Sequence, residues 1–153
     1  MSKKQTKLII GCGNLLLRDE GFGVHLIEYL KQKKLSPDIE LLDGGTAGLD
    51  LIDFIRQPDK VVIVDAVKAE GKPGQIYSFS PQDFETENPP KTSLHDITLK
   101  DVFQMAGQLG PLSKITIIGI EPAIIGPGTE LSPQLKKILP KVAQLVLTEI
   151  EKM

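Results

Sequence analysis

The sequence has only one cysteine, Cys12, among its 153 residues. A single cysteine excludes an intramolecular disulfide, and it excludes zinc and iron–sulfur sites that require several thiolates. This scarcity is typical of a reducing compartment, so we expect a cytoplasmic protein. A chain of about 150 residues buries enough surface to fold without a disulfide or a structural metal.

Long apolar runs and a strong charge of one sign are also missing. No run approaches the roughly 18 apolar residues of a membrane helix, and the start of the chain is too polar for a secretory signal. The 18 basic and 20 acidic residues give a net charge of −2. Because this balance provides no positive field for a polyanion, we expect neither a nucleic-acid partner nor a membrane partner.

Short apolar β-branched runs alternate with helical patterns along the chain, which is typical of βαβ units. The pattern predicts a single domain over residues 1–153 with an α/β fold. Its five-stranded sheet is mixed and mostly parallel, because the short turn at Gly71–Gly74 allows the third and fourth strands to pair antiparallel. The predicted strands are Lys7–Gly11, Ile39–Asp43, Val61–Ala66, Gln75–Ser80 and Ile115–Ile120.

Four helices are predicted between and after these strands. Thr98 has the spacing of a capping box with Asp101, and Pro140 is expected to kink or divide the last helix. The segment Pro81–Ser93 is predicted to be an exposed, mobile loop. The helices span about Gly21–Lys33, Leu49–Arg56, Thr98–Gln108 and Pro133 onward.

Acidic and imidazole side chains follow several of these strands. Ligands of open α/β sheets bind beyond the carboxyl ends of the strands, so these side chains are expected to meet at one edge. Carboxylates and an imidazole form a donor set suited to a divalent transition metal and leave coordination positions open. The residues are Asp19 and Glu20 after the first strand, Asp43 at the second, Asp65 at the third, and His95 before the Thr98 helix.

Each of these residues also has a purely structural interpretation. Asp65 alone is more often a turn or cap residue, His95 is as often a loop residue bonded to backbone, and Glu20 could simply favour the positive end of the next helix. Cys12 is more often a small buried hydrophobe than a nucleophile. His25 is expected at the surface rather than as a metal ligand.

The glycines after the first strand also suggest dinucleotide binding. Leu16 replaces the third glycine of that motif, however, and a pyrophosphate would face the carboxylates of Asp19 and Glu20. We therefore treat dinucleotide binding as a minority hypothesis.

Five motifs, in order and with matching spacing, resemble the maturation endopeptidases of nickel–iron hydrogenases. The resemblance spans nearly the whole chain. The motifs are Gly11–Asn14 continuing to Asp19–Gly23, Asp43–Gly48, Val64–Ala66, Ser93–His95 with Leu99 and Asp101-Val102, and Gly119–Pro122.

This resemblance implies a single-domain α/β/α peptidase that removes the C-terminal extension of the hydrogenase large-subunit precursor after nickel insertion. It places the metal ligands at Glu20, Asp65 and His95, and the Gly-rich acidic turn at Asp43–Thr46. The family is usually classed as aspartic-type, which makes Asp43 or Asp65 the acid–base group without choosing between them. Glu20 is the third catalytic candidate. The nickel would come with the substrate, zinc or cadmium could replace it, and no organic cofactor is expected.

Two other functions remain open at this point. The protein could be a non-catalytic chaperone that checks the large-subunit precursor for nickel and leaves cleavage to another protein. It could also be a metallopeptidase with a bound metal of its own, which would cleave nickel-free substrate as well.

Overall fold

The computed structural model describes residues 6–46, 48–94 and 97–152. Its strands are β1 (Lys7–Cys12), β2 (Ile39–Gly45), β3 (Lys60–Ala66), β4 (Ile76–Phe79) and β5 (Lys114–Ile120). They form one sheet in the order β2-β1-β3-β5-β4, in which only β4 runs antiparallel to its neighbour. The prediction of a mixed, mostly parallel five-stranded sheet is confirmed.

The position of β4 differs from the prediction. β4 pairs with β5, where Ile76 lies opposite Ile120, and it does not pair with β3. β3 is buried along its whole length and has parallel neighbours on both sides, β1 and β5. A strand of this kind belongs at the centre of a parallel sheet, so the less buried β4 is left at the edge.

Helices cover both faces of the sheet. On one face lie α1 (Phe22–Lys31) and α4 (Pro133–Glu151), and on the other lie α2 (Leu51–Phe54) and α3 (Leu99–Leu109). Alternation along β3 divides the core accordingly, because Val62 packs with α1 and α4 whereas Ile63 packs with α2 and α3. This is the predicted three-layer arrangement.

The helix α4 continues through Pro140 and is not divided there. Proline removes one backbone hydrogen bond, but Pro140 and Lys136, whose carbonyl loses that bond, are both exposed, so water can replace the donor. At the start of α3, the predicted capping box is confirmed: Thr98 Oγ1 accepts from the Asp101 N–H at 3.2 Å. No helix among the described residues combines the length and the apolar character needed to cross a membrane.

The segment between β4 and α3 is not exposed throughout, contrary to the prediction. A capping box opens a short 3₁₀ turn, Pro81–Phe84, and Phe84 is buried in the core. Its ring lies 5.8 Å from the rings of Phe79 and Phe103, edge to face in both cases. These contacts hold the segment against the sheet, and its longest exposed stretch is residues 85–88.

Candidate active site

Asp65, near the C-terminal end of β3, is fully buried. Its Oδ1 accepts a hydrogen bond from the Ala66 N–H at 2.8 Å. Its Oδ2 accepts from the Ser93 N–H at 2.9 Å and from the Ser93 hydroxyl at 2.8 Å. Ser93 therefore orients Asp65, a role that the sequence did not assign, although Ser93 begins one of the family motifs.

The pKa of Asp65 is raised to about 7, mainly by burial. The hydrogen bonds from Ser93 and Ala66 act in the opposite direction because they stabilise the charged form. The negative charge of Glu20 raises the pKa further, so the two carboxyl groups interact. A carboxyl group that titrates near neutral pH can both accept and donate a proton, as an acid–base catalyst must.

This raised pKa predicts that the metal-free protein becomes less stable as the pH rises. The carboxyl titrates at 3.8 without perturbation and at about 7 in the folded protein. Between these values the folded state binds more protons than the unfolded state, so the free energy of unfolding falls with increasing pH. The Asp65→Asn variant lacks this contribution, and wild type should lose about 1.4 kcal/mol per pH unit relative to it.

Urea unfolding of both proteins at several pH values between 4 and 7, with a chelator present, measures this difference. The same slope of unfolding free energy against pH in the two proteins would contradict the assigned pKa of Asp65.

Glu20 lies in a 3₁₀ turn, Arg18–Gly21, between β1 and α1, and only 5% of it is exposed. The turn packs closely on the chain that leaves β1. A Cβ added at Gly13 would lie 2.0 Å from the Glu20 carbonyl oxygen, and Gly13 has a φ of +138°. Only glycine fits at this position, so Gly13 allows Glu20 to come close to the end of the sheet.

The neighbouring Asp19 is fully buried and joins this turn to the chain between β5 and α4. Its Oδ1 accepts from the Ser132 N–H at 2.7 Å. Its Oδ2 accepts from the Ser132 hydroxyl at 2.8 Å and from the N–H groups of Ala123 and Ile124 at 2.9 and 2.8 Å. The adjacent carboxylates thus have different positions: Asp19 is held by backbone and hydroxyl donors, and Glu20 lines a cavity.

This cavity has a volume of about 440 Å³, within the usual range for ligand sites. Asp65 does not line it, but Ala66 and Ser93, which donate hydrogen bonds to Asp65, do. The cavity is also lined by apolar side chains and three lysines, among them Phe84, Leu94, Lys68, Lys91 and Lys100. Glu20 and the two residues that donate hydrogen bonds to Asp65 therefore line one cavity, which places the two carboxyl groups near each other.

Asp43 is not among the residues that line this cavity. It is exposed, and its Oδ1 accepts a hydrogen bond from the Gly45 N–H at 2.9 Å. β1 lies between β2 and β3, which separates the backbone of Asp43 from that of Asp65 by two strand spacings, about 10 Å. By strand alternation Asp43 shares the face of Leu41, opposite to the face of Asp65. Its catalytic role stays a prediction.

The predicted ligand His95 lies outside the described residues. Within the described ranges, no group of three or more histidine, cysteine, aspartate and glutamate side chains could hold a metal ion. Glu20 and Asp65 provide carboxylate donors, and the third ligand stays a prediction.

Cys12 is fully buried at the end of β1. Burial, together with the negative charges of Asp65 and Asp43, raises the pKa of its thiol well above the usual value. A buried thiol that stays protonated is a poor nucleophile, so Cys12 has the structural role expected of a small buried residue. His25 is only half-buried, and its Nε2 has no hydrogen-bond partner among the described residues.

Comparison with known families identifies the fold and the peptidase class together. The family model described as hydrogenase maturation protease matches residues 24–149. This chain belongs to the hydrogenase maturation protease family. Its members are peptidases. Asp65 lies within the matched residues, whereas Asp19 and Glu20 precede them.

Individual relatives agree with this assignment. The hydrogenase 2 maturation protease of Escherichia coli K12 is 32% identical over 146 residues, which cover 94% of this chain and 89% of the relative. The solved structure of the E. coli hydrogenase-maturating endopeptidase HybD has a TM-score of 0.83 at 31% identity, with 95% and 91% of the two chains covered. The maturation protease HycI of Thermococcus kodakarensis gives 0.75 at 28% identity, with 99% and 96% covered.

Proposed function

We propose that this hydrogenase maturation protease is a cytoplasmic endopeptidase that removes the C-terminal extension of a nickel–iron hydrogenase large-subunit precursor after nickel insertion. Membership of the family supports the substrate class. The observation that carries the proposal is the pair of buried, interacting carboxyl groups of Glu20 and Asp65 beside one cavity. The single free cysteine fits a reducing compartment.

Nickel acts in this proposal as part of the substrate. Glu20, Asp65 and His95 bind the ion that already sits in the precursor, so that only loaded precursor places its scissile bond at the cavity. Two carboxylates and an imidazole suit several divalent ions, so zinc or cadmium can occupy the same position. No organic cofactor takes part.

In this proposal the acid–base group is Asp43 or Asp65. Asp65 has a pKa of about 7 in the metal-free protein, but nickel bound to Asp65 would lower that pKa, and Asp65 does not line the cavity. Asp43 is not a proposed nickel ligand, and its exposed carboxylate accepts a backbone hydrogen bond. In hydrolysis, the oxygen of water bonds to the peptide carbonyl carbon and a proton passes to the carboxylate. The carboxyl group then donates a proton to the leaving nitrogen as the C–N bond breaks, and the nickel ion polarises the carbonyl.

The proposal is tested by incubating the purified protein with the nickel-loaded precursor encoded in the same genome and measuring intact mass. We expect the precursor to lose a single C-terminal peptide. A stable complex without any change in mass would contradict the endopeptidase and favour a chaperone that only checks for nickel.

A further inference from the structure

Two lysines lie directly opposite each other at the border of the candidate active site. Lys68 follows β3 and Lys91 precedes Ser93, and the two form an isolated antiparallel bridge. The Lys68 N–H donates to the Lys91 carbonyl at 2.8 Å, and the Lys91 N–H donates to the Lys68 carbonyl at 3.3 Å. Side chains of such a pair leave the backbone on the same side, with Cβ atoms about 5 Å apart.

This arrangement brings two positive charges together, and no acidic side chain among the described residues forms an ion pair with either. Both lysines are exposed. Like charges at directly opposed positions destabilise a strand pair. The pair therefore costs stability in the free protein, and a bound anion would remove that cost.

The backbone around Lys68 is fixed on both sides. The Val67 N–H donates to the Ile120 carbonyl at 2.9 Å. After Lys68, the N–H groups of Ala69 and Gly71 both donate to Glu121 Oε1 at 3.0 Å. Glu121 Oε1 also accepts from the Tyr77 hydroxyl at 2.7 Å, so this oxygen already accepts three hydrogen bonds within the protein. The backbone positions of the two lysines are therefore fixed before any ligand binds.

The two lysines lie at the border between two neighbouring cavities. Both line the cavity of about 440 Å³ that contains Glu20, and both line a second cavity of about 900 Å³. Each cavity is also lined by two acids. Glu20 and Glu87 line the first, and Glu70 and Glu121 line the second. A chain that leaves the Glu20 cavity toward the second one passes the two ammonium groups.

We propose that Lys68 and Lys91 form a subsite for a carboxylate of the C-terminal extension, on the leaving side of the scissile bond. This inference rests on the proposed function. The carboxylate is either the α-carboxylate at the chain end or an acidic side chain of the extension. In both cases two ammonium groups provide charge-assisted hydrogen bonds to one anion.

The test compares three double variants in the processing of nickel-loaded precursor. Lys68→Ala with Lys91→Ala is expected to raise KM at least about fivefold with little change in kcat, whereas the two Lys→Arg changes retain the wild-type KM. Lys136→Ala with Lys141→Ala, two exposed α4 lysines outside both cavities, is the matched control and should leave KM unchanged. The Lys68/Lys91 alanine variant should be at least as stable as wild type in thermal unfolding.

Binding of a fluorescent peptide of the extension separates this inference from the proposed function. We expect wild type to bind the peptide at least about fivefold more tightly than the Lys68/Lys91 alanine variant. Amidation of the chain end, or change of its acidic side chains to amides, should abolish that difference and so identify the carboxylate. Equal binding by both proteins, or none by wild type, overturns the subsite even if processing occurs. If binding of the peptide depends on the two lysines but the nickel-loaded precursor is not cleaved, the result supports the lysine subsite and contradicts the endopeptidase.

Discussion

Replacing Glu20 with glutamine is expected to lower the processing rate of nickel-loaded precursor by at least about 10²-fold. Glutamine keeps the size of the side chain, but it has no negative charge for a cation and cannot act as a base. The fold should persist, because the change is nearly isosteric. Intact mass of the precursor over time measures the rate, and circular dichroism checks the fold.

The same variant has a second expected result in the absence of substrate. The charge of Glu20 helps to raise the pKa of Asp65, so Glu20→Gln should lower that pKa. The pH range over which stability falls should therefore end at a lower pH than in wild type. This readout depends on the electrostatic interaction between the two carboxyl groups and not on turnover.

Glu87→Gln is the matched control, because Glu87 lines the same cavity but is exposed. It should process precursor at nearly the wild-type rate. A Glu20→Gln variant that trims loaded precursor as fast as wild type would remove Glu20 from the site.

Replacing Asp19 with alanine is expected to lower the free energy of unfolding by about 3–5 kcal/mol, because four donors lose their buried acceptor. Three are backbone N–H groups, of Ala123, Ile124 and Ser132, and the fourth is the Ser132 hydroxyl. A typical domain is stabilised by only about 5–15 kcal/mol, so this change is large. Urea unfolding followed by circular dichroism measures it.

Asp50→Ala provides the comparison for this change. Asp50 is exposed and makes no side-chain hydrogen bond to cap α2, so its loss should change stability by less than about 0.5 kcal/mol. If Asp19→Ala cost no more than Asp50→Ala, the account of Asp19 as the link between the Glu20 turn and the chain before α4 would be wrong.

Much of the fold could be predicted because periodicity and capping are local signals. The apolar run Val61–Val64 identifies the strand β3, and the Thr98 capping box marks the start of α3. Pairing between distant strands is not a local signal. The short turn before β4 suggested pairing with β3, and the sequence between them does not show that β5 takes that place.

The site was predictable only in part, for a related reason. The position of Asp65 at a strand end suggested a site residue, and the structure buries it beside Glu20. The family resemblance selected Glu20, but the residue types alone did not show what Asp19 does, since its donors belong to residues more than 100 positions away. Nor did it reveal the position of Phe84, because an aromatic residue in a polar segment gives no periodic pattern.

The central claim is that the carboxyl pair recognises the metal carried by the substrate. The most direct measurement compares nickel-loaded and nickel-free precursor, each incubated with the metal-free protein and followed by intact mass and by binding. The account predicts that only the loaded precursor binds tightly and loses its C-terminal peptide. Equal cleavage of both forms would contradict it and would show that the peptidase does not depend on nickel in its substrate.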